Sequence, residues 1–407
     1  MNYIIKRLQH YNAFDIAMNN LLDVVNRRDL LFTHGTGGYL FEQNGDKYLD
    51  CVSGIAVNTF GHADPKLAEI IADQATKMLH ISNYFRSNEL EYAATRLSQL
   101  TIAGKVFFLN SGTESVETAI KIARRYFYEK STPQRHEIIC FQHAFHGRTF
   151  AALAAQGNEK YLEGFEPRLP GFHHAILNDL ESVKSLISSK TAAIMLEPIQ
   201  GEGGVTTCTQ EFLNQLRKIC DEMGILLIFD EVQCGVGRSG KLYAYQGYQV
   251  APDILITAKG LGGGYPIGAV ICTNEVASAM KPGSHGSTFG CNPMAARIAG
   301  YVLDTVSDEK FLANVMEKSR IMREIIAKVQ GEYPEKITQI RGKGLLIGVR
   351  IGESFSNREF MNIAGKNRLL LPVSAYDNVV RVLPRLNISD EEISDFEAKF
   401  TQSITDL

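Results

Sequence analysis

The chain has 407 residues, 45% hydrophobic and 21% charged, with a net charge of −3. That is the make-up of a soluble globular protein with room for two or three domains. It excludes a polyanion-binding surface for nucleic acid and, with no apolar run of about 18 residues, a membrane-spanning helix.

The first residues, MNYIIKRLQHYNAFDIAMNN, lack the apolar core and cleavage site of a signal peptide, and the early Asp15 and Asp23 count against a basic transit segment. Seven scattered cysteines, without CxxC or metal-ligand spacing, point to reduced thiols in a cytoplasmic setting. Cys51, Cys140 and Cys272 fall in apolar runs and read as small buried hydrophobes. His143 and His146 lack a third ligand nearby, so no metal is expected.

In chain order, residues 1–34 read as largely helical. GGYLFEQNGDKYLDC then reads as a hairpin, Tyr39 to Glu42 and Lys47 to Cys51, around an NGD turn. The apolar spacing of Leu67, Ile70, Ile71 and Met78 predicts a helix from Pro65 to Leu79, and a polar loop and a second helix follow in HISNYFRSNELEYAATRLSQL. KVFFLNSGTESVETAIK is a short strand, Val106 to Leu109, running into a helix. Its amino end, with free N–H groups and a positive dipole, suits a phosphate. Gly112 permits close approach there, and Thr113 is expected to cap the helix and offer its hydroxyl. Read alone, this is equally an ordinary capped helix.

HEIICFQHAFHGRTF gives strand, loop and helix, with Phe145 and Arg148 in the loop. Read alone, they are a core aromatic and a surface cation. TAAIMLEPIQGEGGV is a buried strand ending at Glu197, followed by a glycine loop that carries Glu202. A helix from Gln210 to Met223 leads to ILLIFDEVQCGVGRSG. There the apolar run Ile225 to Phe229 stops at Asp230, as a strand buried on both faces does. Gly235, Gly237 and Gly240 spell GxGxxG, but Glu231 to Cys234 separate them from the strand and no helix follows, so a dinucleotide site is rejected. A second run, Ile254 to Thr257, delivers Lys259 ahead of Gly260, Gly262, Gly263 and Gly264. Ligands of open α/β sheets bind outside the carboxyl ends of strands. A lysine there can form a Schiff base with a carbonyl, and an aspartate beside it can keep a pyridine nitrogen protonated. YPIGAVICTNEV adds a strand, and HGSTFGCNPMAARIAG a Ser-Thr loop before a long helix. From about residue 292 long amphipathic helices to 330, then strands and a final helix, read as a smaller α+β domain. No repeat or low-complexity tract is present.

FLNSGTESVETAIK, FHGRTF, DEVQCGVGRSG and ILITAKGLGGGYPIGA, in this order over nearly the whole chain, resemble the motifs of class III aminotransferases, most nearly the acetylornithine group. The resemblance implies a fold-type I α/β transferase binding pyridoxal 5′-phosphate. It would have a large, mostly parallel-sheet domain over 61–291, a small α+β domain over 292–407, and residues 1–60 packed with the small domain. It implies that Lys259 and Asp230 are catalytic and that Gly112 and Thr113 hold the cofactor phosphate. Phe145 would stack on the ring, Gln233 contact the ring hydroxyl, and Thr288 reach the phosphate in the partner of a homodimer, with Ser287 beside substrate. Arg148 and Arg381 would clamp substrate carboxylates, Glu202 gating Arg381. Two prolines are frequent in the family where this chain has Pro384-Arg385. The implied reaction moves the terminal amine of N-acetylornithine to 2-oxoglutarate, in arginine biosynthesis. Where the ornithine enzymes carry a tyrosine that addresses the free α-amino group, this chain has the apolar Ile55, which favours an acylated amine or none. The alternatives are a 4-aminobutyrate, succinylornithine, ornithine or other ω-amino acid aminotransferase, an aminomutase, and a non-catalytic cofactor-binding protein.

Overall fold

The computed structural model describes residues 20–407. Its centre is a seven-stranded sheet in the spatial order Lys105–Leu109, Gly268–Cys272, Ile254–Thr257, Leu226–Asp230, Thr191–Leu196, Glu137–Phe141, Phe172–Ala175. Every pairing is parallel except those of Gly268–Cys272, which runs antiparallel to both neighbours. The apolar runs follow from burial on both faces. Leu227, Phe229, Ile194 and Leu255 join one hydrophobic cluster, and Leu226, Ile228, Met195 and Ile256 the other. Period-two alternation here sorts side chains between two cores rather than between core and water.

The expected hairpin forms as Tyr39–Glu42 and Lys47–Asp50. It lies in a four-stranded sheet with Phe32–Thr36 on one side and Leu369–Leu370 on the other, so segments far apart in sequence share hydrogen bonds. A third sheet joins Ile337–Lys343, Leu346–Ile351 and Val379–Val382. The helix Pro293–Val306, expected to open the small domain, packs against Asn88–Leu100 and Pro65–Ala75 instead.

Two local expectations are corrected. Residues 20–31 hold no helix and Phe32–Thr36 is a strand; residues 1–19 lie outside the described residues. The helix predicted to Leu79 stops at Ala75. Ser53, Gly54, Ile55 and Ala56 all have positive φ (48°, 64°, 65° and 60°), a left-handed turn that costs L-residues roughly 1–2 kcal/mol each. Among the described residues, no helix is long and apolar enough to cross a membrane.

Candidate active site

The strands Leu226–Asp230 and Ile254–Thr257 are parallel neighbours in register, Asp230 opposite Ile256. Their carboxyl ends therefore present Asp230 and, two residues past Thr257, Lys259 to one recess of about 270 Å³. Lys259 sits at φ +42° at the head of a 3₁₀ turn, Lys259–Gly262. Gly112, Thr113, Phe145, Arg148, Glu202 and Gln233 line the same recess. Thus eight of the residues singled out in the sequence meet in one place.

Asp230 is 3% exposed. Its Oδ1 accepts from the Val232 N–H at 3.0 Å and its Oδ2 pairs with His146 Nδ1 at 2.7 Å. His146 was missed in sequence except as half of a metal pair. Burial lowers its pKa, but the bond to Asp230 and that group's charge outweigh burial, and the net shift is upward. His143 stacks on Tyr376 instead, ring centroids 4.2 Å apart. Among the described residues no cluster of metal-ligating side chains occurs.

Burial, then the neighbouring Arg381 charge, holds the Lys259 amine below the ordinary lysine range, which enlarges its neutral fraction. Glu197 accepts the Phe145 N–H at 2.8 Å, and burial pushes its pKa up to about 7. Arg381 is 1% exposed. Its Nη1 meets Glu202 Oε1 at 2.6 Å and its Nη2 donates to Val373 O at 2.9 Å. Arg148 is exposed at the mouth, its guanidinium 3.8 Å from the Tyr161 ring centroid.

The helix Gly112–Glu129 begins in the recess. Ser111, not Thr113, is its cap, accepting from the Glu114 N–H at 3.3 Å, while Glu114 Oε2 accepts from Asn110 N at 2.8 Å. Thr113 is already inside the helix, its hydroxyl 3.0 Å from that of Thr149. Ser287 and Thr288 do not line this chain's recess. Ser287 Oγ contacts Asn110 Nδ2 at 3.3 Å and Thr288 is exposed. Ile55 packs against the cluster that holds Ala56, Ile199 and Cys234 and does not line the recess.

The recess fits a phosphorylated pyridine aldehyde. A Cβ on Gly147 would stand 2.2 Å from Thr113 Oγ1, and one on Gly112 would stand 2.9 Å from Val232 Cγ1, so both glycines keep the helix amino end open. Phe145 and Val232 give the recess apolar surface for a ring, and the Asp230 carboxylate and the Lys259 amine line the same recess. His146 Nε2, buried without a partner in the same recess, awaits a polar group.

Residues 24–404 match the family described as Aminotransferase class-III. The acetylornithine aminotransferase 1 of Bradyrhizobium diazoefficiens is 47% identical over 379 residues, covering 93% of this chain and 93% of the relative. The N-acetylornithine aminotransferase of Stenotrophomonas maltophilia has a solved structure 32% identical, with TM-score 0.82 over 94% of this chain and 97% of that one. An ornithine aminotransferase of Toxoplasma gondii, in which pyridoxal phosphate partly occupies the active site, superposes with TM-score 0.92 at 29% identity over 99% and 97% of the two chains. The chain belongs to the class-III aminotransferases, which use pyridoxal 5′-phosphate.

Proposed function

We propose that the protein transfers the terminal amino group of N2-acetyl-L-ornithine to 2-oxoglutarate, giving N-acetyl-L-glutamate 5-semialdehyde and L-glutamate. The observation that carries this reading is one recess holding a lysine, an aspartate and two differently guarded arginines: Arg148 open at the mouth, Arg381 covered by Glu202. Identity of 43–47% to acetylornithine aminotransferases over more than 90% of the chain supports the substrate.

Pyridoxal 5′-phosphate, when bound, supplies an electron sink conjugated to the substrate nitrogen. Gly112, Thr113 and the helix amino end would hold its phosphate, Phe145 and Val232 its ring, Gln233 its ring hydroxyl and Lys259 its aldehyde carbon. Asp230, aligned by His146, holds a proton on the ring nitrogen. The Lys259 Nζ, less basic than an ordinary lysine amine, moves the proton from the substrate carbon that bears the amine. Arg148 holds the α-carboxylate of acetylornithine, which leaves the terminal amine at Lys259. Glu202 masks Arg381 in that half-reaction and releases it to the α-carboxylate of glutamate in the other. Loss of either arginine leaves a carboxylate unmatched in a partly dry site, costing about 2–4 kcal/mol of binding. Ser287 and Thr288 serve the site of a partner protomer, so the working unit is a homodimer.

A substrate panel with 2-oxoglutarate as acceptor tests the reading. Turnover is expected with N-acetylornithine and far less with 4-aminobutyrate or free ornithine. Activity on 4-aminobutyrate without activity on N-acetylornithine would overturn the substrate and leave the reaction class standing.

A further inference from the structure

A second recess lies away from Lys259. The loop after the Asp230 strand meets the long helix Glu309–Glu332 and the turn of the hairpin Ile337–Lys343/Leu346–Ile351 across a cleft of about 870 Å³. The backbones approach closely there. Gly344, at φ +56°, lies where a Cβ would stand 2.5 Å from Arg238 O.

The cleft is cationic. Lys241, Arg320, Arg323 and Lys343 line it against one acid, Glu309. Arg320 is already neutralised by Glu317 and Glu324. The other three cations form no ion pair among the described residues, and the Lys343 ammonium rests 3.7 Å from the Tyr248 ring centroid. Arg323 is held from behind, Nε to Ser319 Oγ at 3.3 Å and Nη1 to Arg341 O at 3.2 Å, while its buried Nη2 has no partner. The hydroxyl of Ser239, a residue only 7% exposed, is also buried without a partner. Burial lowers the Arg323 pKa, and no carboxylate offsets it. A guanidinium partly withdrawn from water without a counter-charge is costly. Water would satisfy the spare N–H groups but not the charge.

We infer that this cleft binds a tetrahedral oxyanion, either phosphate or a phosphate monoester, held by Arg323 and Ser239 within and by Lys241 and Lys343 at the rim. Three uncompensated cations and a hydroxyl suit a dianion with several acceptor oxygens better than a carboxylate. The volume leaves room for an organic group. Nothing here depends on the substrate assigned above.

The test is calorimetric titration of the cofactor-loaded protein, so that the phosphate seat at Gly112 and Thr113 is filled. Inorganic phosphate and glycerol 3-phosphate are titrated separately at constant ionic strength, with chloride as control. One saturable site that chloride does not reproduce is expected. Tighter binding of the ester identifies an organic phosphate as the ligand, and tighter binding of phosphate identifies the free anion. Lys241→Gln and Lys343→Gln, both at exposed positions, should each weaken binding about tenfold. Arg323→Gln should weaken it further, and if that variant fails to fold the lysine variants decide. No saturable binding of either anion, or unchanged binding in the double lysine variant, would overturn the inference.

Discussion

Asp230 faces two neighbours, and the more telling is a histidine 84 residues earlier. The pKa of His146 is raised in the fold, against burial, by its bond to Asp230 and that group's charge. A raised folded pKa gives stability that is complete below the unfolded value, about 6.5, and is lost as pH rises through the folded value. Unfolding free energies measured in urea from pH 6 to 9 should therefore fall more steeply for the natural protein than for His146→Asn. The two curves should close by about 1.5–3 kcal/mol, the scale of one hydrogen bond to a charged group. Parallel curves would contradict an ionic His146–Asp230 pair. Lys259 and Asp230 were legible in sequence because each ends an apolar run. His146 was not, because one imidazole between Phe145 and Gly147 carries no periodicity and its partner is remote in sequence. The sequence points to Thr113 as the cap and the backbone makes it Ser111; both are capping residue types, and only geometry separates them.

Elements buried on both faces could be read directly, since a strand walled by two cores must be apolar throughout and stop at a charge. Elements defined by what they lean on could not. The left-handed turn Ser53–Ala56 is spelled with only one glycine, and the sheet that unites the hairpin with Leu369–Leu370 pairs distant segments. The segment around 79–85 and the loop at 285–291 form another such partnership. Asn83 Nδ2 donates to Ser287 O at 2.7 Å, and the His80 and Phe289 rings lie 5.7 Å apart. Together they leave Leu79, Tyr84, Phe85 and Phe289 between 56% and 91% exposed. Apolar exposure of that kind marks an interaction face, and the proposed second protomer would cover it. Sedimentation equilibrium at micromolar concentration should give twice the 45.1 kDa of one chain, and Phe85→Asp should shift the population toward one chain. A single species of one chain's mass in the natural protein would contradict the shared site.

Across the whole molecule, the backbone does not choose the substrate. The solved ornithine aminotransferase superposes better than the solved N-acetylornithine enzyme, yet it is less identical in sequence. A shared fold carries several chemistries, and specificity belongs to side chains. What the architecture does supply is convergence. The central sheet contributes Asp230 and Lys259, and the third sheet contributes Arg381. Arg238, the fully buried cation of the loop behind Asp230, donates to Leu345 O at 3.2 Å and to Pro384 O, tying that loop to the strands around Arg381. Sequence character places a break near 292, whereas Pro293–Val306 packs on the earlier helices Asn88–Leu100 and Pro65–Ala75, since amphipathicity shows that a face is buried but not against what. The proposed chemistry requires the Lys259 amine to be the group that holds the cofactor. Borohydride reduction of the purified yellow protein, followed by peptide mass mapping, measures this directly. Bleaching of the band and one phosphopyridoxyl adduct, on Lys259 and absent from Lys259→Ala, are expected. An adduct on another lysine, or none at all, would contradict that chemistry.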